Sequence, residues 1–288
     1  MMLSVFTASV MTVAVKWAAG EVESSVIVVL RSAGGLTLCL FALIAVRDLR
    51  SELRFSAPWL HIWRGLLAGC ATQFGFYTIT ELPLATSTVL FFTAPIFTAV
   101  MAIPLQGERV GVRRGGAIVF GFLGILIVMR PGAESFEVAI LTGLASSLLF
   151  GLALLSSRGL ANRDGVFASF ISSTLLTLLI AIPFAAPVWS LPVSWLGWTA
   201  IGLVTATSLV RNMADIQAYR LAEAAILAPL SYLRLILLAL AGYIFFSETP
   251  DLYTVIGGAV IIASALYIAR REQLVRKRPP PPPLDQNL

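Results

Sequence analysis

Six charged side chains stand inside long apolar runs of this 288-residue chain: Lys16, Arg31, Arg64, Arg211, Arg234 and Asp215. A charge in such surroundings is costly and normally faces a cavity, a partner or an ion pathway. Depth separates the six. Lys16 lies near one end of its run and Arg64 near one end of its own, where a long side chain can reach the interface. Arg31 lies about a third of the way in, Arg234 near the middle of its run and Arg211 just inside the middle of another. Guanidinium presents a planar fork of donors suited to carboxylate and phosphate. The chemistry these residues offer is therefore recognition of an anion, not bond-making. An enzyme is not expected: the single histidine, His61, flanks an apolar run, and Cys39 and Cys70 lie inside two others, which supplies no nucleophile–base pair. Neither a metal nor a cofactor is expected, since one histidine cannot gather a ligand set.

The neighbours of these charges extend the candidate site. Thr207, Ser208, Arg211 and Asp215 follow i, i+1, i+4 and i+8 spacing and make one broad helical face. Asn212 is at its edge, and Gln217 points elsewhere. Two readings fit the Arg211 and Asp215 pair: a self-neutralised structural ion pair, or an arginine shared between Asp215 and a substrate anion. Ser231 and Arg234 share a face, with Tyr232 on another. Gln73 and Tyr77 share a face with Gly69 and Thr80, either as hydrogen bonders lining a cavity or as glue between helices. Phe92 lies about one turn before Pro95, which removes a helical hydrogen bond and predicts a kink suited to gating. The glycines at 121, 124, 143 and 151, with Ser147, read as close-contact faces between helices. Five interior cations against one acid predict a substrate that is anionic or carries a carboxylate or electron-rich head, its apolar part against Phe91, Phe92 and Tyr77.

The elements that must hold these residues follow from composition. The chain is 58% hydrophobic and 12% charged, whereas soluble domains carry about 25% charged residues. Runs at 3–19, 25–46, 59–80, 84–105, 111–130, 138–158, 165–186, 195–218, 222–246 and 252–270 approach the roughly 20 residues a bilayer span needs. In lipid their backbones must be helical. The expected fold is an all-α membrane protein of ten transmembrane helices. The first run, with no basic lead-in, reads as a retained span and not a cleaved signal. Of the lysines and arginines outside the runs, fourteen fall on the side of both termini and only Arg130 on the other. The positive-inside rule then makes both termini cytoplasmic.

The chain is also self-similar. Glu81–Gly132 returns about 140 residues later: Glu248 stands where Glu108 stood, and Gly257 and Gly258 echo Gly115 and Gly116. Five helices per half is an odd number, so the halves enter the membrane from opposite sides as inverted repeats, with the substrate site near the midplane between them. The expected units are 1–132, 133–271 and a basic, proline-rich cytoplasmic tail at 272–288. The basic cluster suits anionic lipid headgroups and the five prolines an extended segment.

The segments FYTITELPLATSTVLFFTAPIF and GERVGVRRGGAIVFGFLGILIVMRPG, followed in the second half by AYRLAEAAILAPLSYLRLILLALAGYIFFSETPD and IGGAVIIASALYIARRE, resemble the EamA family of the drug/metabolite transporter superfamily. The likeness covers nearly the whole chain except the tail. Within the family, the chain is similar to a branch of riboflavin carriers, S-adenosylmethionine carriers and exporters of nicotianamine-like metallophores. The resemblance implies a secondary transporter in the plasma membrane, the inner membrane in a Gram-negative cell. It fixes neither substrate nor direction. A small-molecule metabolite and membrane lipid are the expected partners and nucleic acid is not; monomer and homodimer both fit. A non-transporting scaffold or sensor using the proline tail is the reading from another class.

Overall fold

The computed structural model describes residues 1–46, 50, 53–106, 112–130, 138–164, 166–221 and 224–276. Among these are eleven α-helices, one 3₁₀ turn at Ala186–Val188 and no strand. In chain order the helices are α1 (Met2–Ala18), α2 (Ser24–Ala45), α3 (Pro58–Glu81), α4 (Leu84–Phe91), α5 (Ala94–Gln106), α6 (Val112–Met129), α7 (Val138–Asp164), α8 (Val166–Ala185), α9 (Trp195–Leu221), α10 (Ala224–Phe246) and α11 (Leu252–Arg276). Parts of α7, α9, α10 and α11, Asp215 among them, are described by backbone alone. Glu108 and the tail beyond residue 276 lie outside the described residues.

Each apolar run is helical, and its ends follow local chemistry. Pro58 opens α3, where its missing N–H bonds nothing in any case. Pro83 forces Leu82 into extended backbone (φ −102°, ψ 158°), which ends α3. Four helical stretches are long and apolar enough to cross a bilayer: Ser24–Ala45, Leu84–Met101, Phe167–Val188 and Leu252–Arg270. Shorter apolar stretches lie in α1, α6, α7 and α10. Large apolar side chains such as Phe41, Leu126 and Ile244 are exposed, as on helices that are apolar all round and face lipid. Trp59, Trp63, Trp195 and Trp198 are exposed near the starts of α3 and α9, where their amphipathic rings suit the membrane interface. This is an all-helical integral membrane protein.

Two expectations change. The run at 84–105 is two helices, α4 and α5, separated at Phe92 and Thr93. Pro95 has no N–H for the carbonyl of Phe91, and its ring crowds that carbonyl, so the helix breaks just before it. The loosened turn is bonded again: Thr93 N, Thr93 Oγ1 and Ser147 Oγ on α7 donate to Leu90 O at 3.1, 2.6 and 2.7 Å. At the other end of the chain, α11 continues to Arg276, beyond the expected end of the last run at 270.

The largest helix–helix contacts run between the two halves of the chain: α3 with α7, α6 with α11, and α1 with α9. Glycine sets the approach at several of them. A Cβ on Gly124 of α6 would lie 3.0 Å from Gly257 O and 2.9 Å from Ile261 Cγ1 on α11. A Cβ on Gly69 of α3 would lie 3.1 Å from Thr177 Cα on α8. Gly143 and Gly151 of α7 likewise meet α3, α4 and α5. Gly124→Val is expected to lower stability by about 1–3 kcal/mol through overpacking, read as a lower melting temperature in detergent. Gly202→Ala, with nothing within 4 Å of its Cβ position, is the matched control and should leave melting unchanged or raise it slightly.

Candidate functional site

Helix α1 runs against α9 and α10, and α2 against α8 and α9. That packing gathers three of the interior arginines around α1. Arg31 on α2 donates from Nε to Ser208 Oγ on α9 at 2.8 Å, and its guanidinium stands 5.3 Å from the centre of the Phe76 ring on α3. Ser208 Oγ lies 2.6 Å from Val204 O and 3.3 Å from Met11 Sδ, so its hydrogen points away and its lone pairs face Arg31. Arg211, one turn along α9, is close enough to Arg31 for the two guanidiniums to repel. Arg234 on α10 donates from Nη2 to Thr12 Oγ1 on α1 at 2.9 Å, and Thr12 donates to Ala8 O at 2.9 Å. Hydroxyls thus orient Arg31 and Arg234 without themselves neutralising them.

An aromatic wall stands nearby. Phe92, at the break between α4 and α5, packs edge-on against Tyr232 of α10 with ring centres 4.8 Å apart. Tyr77, Phe97 and Leu235 pack with Phe92 against one buried cluster. Gln73 is buried one turn before Phe76, and its Oε1 has no hydrogen-bond partner among the described residues. Ser32 Oγ, beside Arg31 on α2, is in the same condition. An orphaned buried polar atom costs about 1–3 kcal/mol, and a donor on a bound solute would recover it. Pro95 itself is exposed, so its part is to break the helix, not to line the site. Ser231 lies on α10 one turn before Arg234, and Asp215 on α9 one turn beyond Arg211. The side chain of Asp215 is outside the described residues.

Charge in apolar runs brought out Arg31, Arg211 and Arg234 but not Phe76 beside Arg31 or Thr12 beside Arg234, which come from other helices. It also left unread a set of contacts at the two ends of the bundle. At one end Lys16 pairs with Glu248 and donates to Leu82 O at 2.8 Å. Glu248 also accepts from Leu84 N at 2.8 Å. Lys16 therefore does not snorkel. It ties α1 to the α3–α4 link and the α10–α11 link. At the same end Arg130 pairs with Asp251 and lies 3.9 Å from the Tyr253 ring centre. Arg130 and Ser247, the residue before Glu248, hold left-handed backbone at φ 46° and 53°, an uncommon state for side chains other than glycine.

Two acidic caps complete the ends. Glu21, between α1 and α2, accepts from Val193 N at 2.9 Å, Ser194 N at 3.0 Å and the Ser194 hydroxyl. The hydroxyl first, then the amide of Ser194, hold its carboxyl below the usual range. Asp164, at the end of α7, accepts from the Ser56 hydroxyl, from Ala57 N at 3.4 Å and from His61 Nε2 at 3.0 Å. The Ser56 hydroxyl first, then His61 and the Ser56 and Ala57 amides, hold its carboxyl down to about 2. Such a group stabilises the fold fully above the free carboxyl's pKa of 3.8, and that contribution is lost as pH falls through about 2. Arg64, one turn beyond His61, donates to Ser169 O at 3.1 Å and Ser173 Oγ at 2.9 Å on α8. It joins helices and does not snorkel.

The fold defines a helical membrane protein with cations and hydrogen bonders at its helix junctions. Residues 1–130 match the model of the EamA-like transporter family. The chain is 30% identical over 226 residues to the riboflavin transporter of Rhizobium johnstonii, covering 76% of this chain and 72% of that one. It is 28% identical over 219 residues to the S-adenosylmethionine uptake transporter of Rickettsia felis, covering 76% and 74%. It is 27% identical over 268 residues to the pseudopaline exporter CntI of Pseudomonas aeruginosa, covering 93% of each. A crystal structure at 22% identity shares the fold, with a TM-score of 0.57 over 94% of this chain and 98% of the other. The chain belongs to the EamA-like transporter family.

The Lys16 and Glu248 pair is largely enclosed, each side chain being 15% exposed. Lys16→Met would strand a carboxylate there, and the expected loss is on the order of 3 kcal/mol, read as a drop in melting temperature. Adding Glu248→Gln to that variant should recover part of it. If the double variant melts no higher than Lys16→Met alone, the pair is not what Lys16 contributes.

Proposed function

We propose that the chain is a secondary transporter that carries a small organic metabolite across the membrane by alternating access. The substrate bears a carboxylate or another electron-rich polar head. The observation that carries this reading is the gathering of Arg31, Arg211 and Arg234 around α1, with Arg31 and Arg234 oriented by hydroxyls. Guanidiniums held in this way offer charge-assisted hydrogen bonds to an arriving anion. Gln73 Oε1 and Ser32 Oγ supply unmet hydrogen-bonding capacity, and Phe92, Tyr77 and Tyr232 an aromatic wall for the apolar part. Asp215, one turn from Arg211, shares that arginine with the substrate, and Ser231 lines the Arg234 face. Pro95 supplies the break that lets α4 and α5 move as separate levers.

The frame for this cycle is ten spans, with α4 and α5 together forming the fourth, in two inverted halves at 1–132 and 133–271 and both termini cytoplasmic. Three features support it. Advancing every span by five turns the α3–α7 contact into the α9–α1 contact and returns α6–α11 to itself, which are the largest contacts present. The same operation carries the Glu21 cap on Ser194 into the Asp164 cap on Ser56. The family match to residues 1–130 coincides with the first half.

Three relatives suggest three cargoes: riboflavin, S-adenosylmethionine and a metallophore. Riboflavin is neutral, and a guanidinium such as Arg31, already over an aromatic ring, can stack on a flavin. S-adenosylmethionine is net cationic and fits the interior less well, although its carboxylate would find a partner. Asp215 is the one acid expected within the spans, so movement follows solute gradients or exchange with weak proton dependence.

Uptake and efflux of a metabolite panel in proteoliposomes tests the reading. Arg211→Ala and Arg234→Ala should each lower flux of the carried solute about 10-fold to 100-fold, the scale of a lost charged hydrogen bond, while the protein still folds and reconstitutes. Movement of bulky lipophilic cations alone would contradict the proposal. Flux that collapses with the proton gradient, together with loss of that response in Asp215→Asn, would contradict the coupling.

A further inference from the structure

The two acidic caps are alike in design and differ in one respect. Glu21 is bonded by a serine hydroxyl and backbone amides. Asp164 is bonded by a serine hydroxyl, a backbone amide and the chain's single histidine. His61 and Asp164 are both buried, at 3% and 1% exposure. The second ring nitrogen of His61, Nδ1, lies 2.8 Å from Ser172 Oγ on α8. Ser172 has one hydrogen, and Ser169 O is 3.1 Å away to receive it. With that hydrogen on Ser169 O, the Ser172 oxygen can accept Nδ1–H while Nε2–H donates to the carboxylate. Both ring nitrogens donate in that arrangement, which is the hydrogen-bonding capacity of imidazolium.

We propose that Ser56, His61, Asp164 and Ser172 form a proton-binding regulatory site, a latch that binds the start of α3 to α7 and α8 more tightly when His61 is protonated. It rests on the carrier reading in one respect: holding α3 against α7 and α8 closes one face of the bundle, so acidification on that face slows its opening. The groups that face His61 come from four elements. From α7, Asp164 stays ionised throughout the pH 5–8 range in which histidines ordinarily titrate. From its own helix, Arg64 stays charged and is committed to Ser169 O and Ser173 Oγ. From α8 come hydroxyls and backbone, and from the preceding segment the Phe55 ring, 5.0 Å from the imidazole centre. Losing the imidazolium charge weakens the Nε2–H bond to the carboxylate from a charge-assisted pair to an ordinary one. Among the described residues the Glu21 cap has no partner that titrates in this range, so the other end of the bundle should ignore the change.

Hydrogen exchange read by mass spectrometry tests this on the full chain in nanodiscs of phosphatidylethanolamine and phosphatidylglycerol. After correction for the intrinsic effect of pH, the peptide spanning residues 55–62 should exchange about fivefold more slowly at pH 5.5 than at pH 7.5. The peptide spanning 190–198 should not change. His61→Gln should abolish the difference. Asp164→Asn should leave exchange fast at both values, because the proton then has no anion to meet. Equal protection of wild-type 55–62 at both pH values, a response at both ends of the bundle, or a response that survives His61→Gln would each overturn the proposal. No solute enters the measurement, so its failure leaves the carrier reading untouched, and absence of solute flux leaves its result standing.

Discussion

An arginine inside a bilayer-spanning bundle must be held by something, and Ser208 and Thr12 are among the groups that hold Arg31 and Arg234. A central cation costs about 2.5–3.5 kcal/mol on insertion scales. A carboxylate beside each would relieve that cost and also consume the charge. Here Ser208 accepts from Arg31 and Thr12 from Arg234, contacts that fix geometry without themselves cancelling the charge. The helix arrangement serves this end: α1 carries Thr12 and Met11 between α9 and α10, and α2 brings Arg31 to the same junction.

Around that interior, the ends of the bundle are tied by polar contacts between elements far apart in sequence. Lys16 with Glu248 and Arg130 with Asp251 join the first half of the chain to the α10–α11 link. Asp164, His61 and Arg64 join α3 to α7 and α8. The glycine-lined approaches of α6 to α11 and α3 to α8 set how closely those helices pack. The break before Pro95, bonded again by Ser147 and Thr93, lets a helix change direction in lipid without leaving Leu90 O unsatisfied.

Much of this was legible in the sequence because lipid imposes a simple rule: long apolar runs become helices, and proline ends them. Pro95 marked a defect, though not that it would separate α4 from α5 completely, and Pro58 and Pro83 were the available signals for the limits of α3. The interior arginines were legible because charge in an apolar run is conspicuous. Their partners were not. Thr12 and Arg234 are brought together only by packing of α1 on α10, and no periodicity within either helix encodes it. Glu248 read as an ordinary loop acid because sequence does not reveal that its backbone turns it inward beside Lys16. Asp164 was passed over for the same reason, although an acid just before a second apolar run, with a lone histidine elsewhere, was the available signal. Tyr232, read onto a different face from Arg234, meets Phe92.

The central claim is that positive potential in the interior selects the head group of the solute. Competition against the carried metabolite in proteoliposomes tests it most directly, using a carboxylate-bearing analogue and its neutral methyl ester. The account predicts that the carboxylate competes about tenfold or more better than the ester, and that Arg234→Ala brings the two together. Equal competition by acid and ester in the wild-type protein, or preference for a lipophilic cation over both, would contradict it.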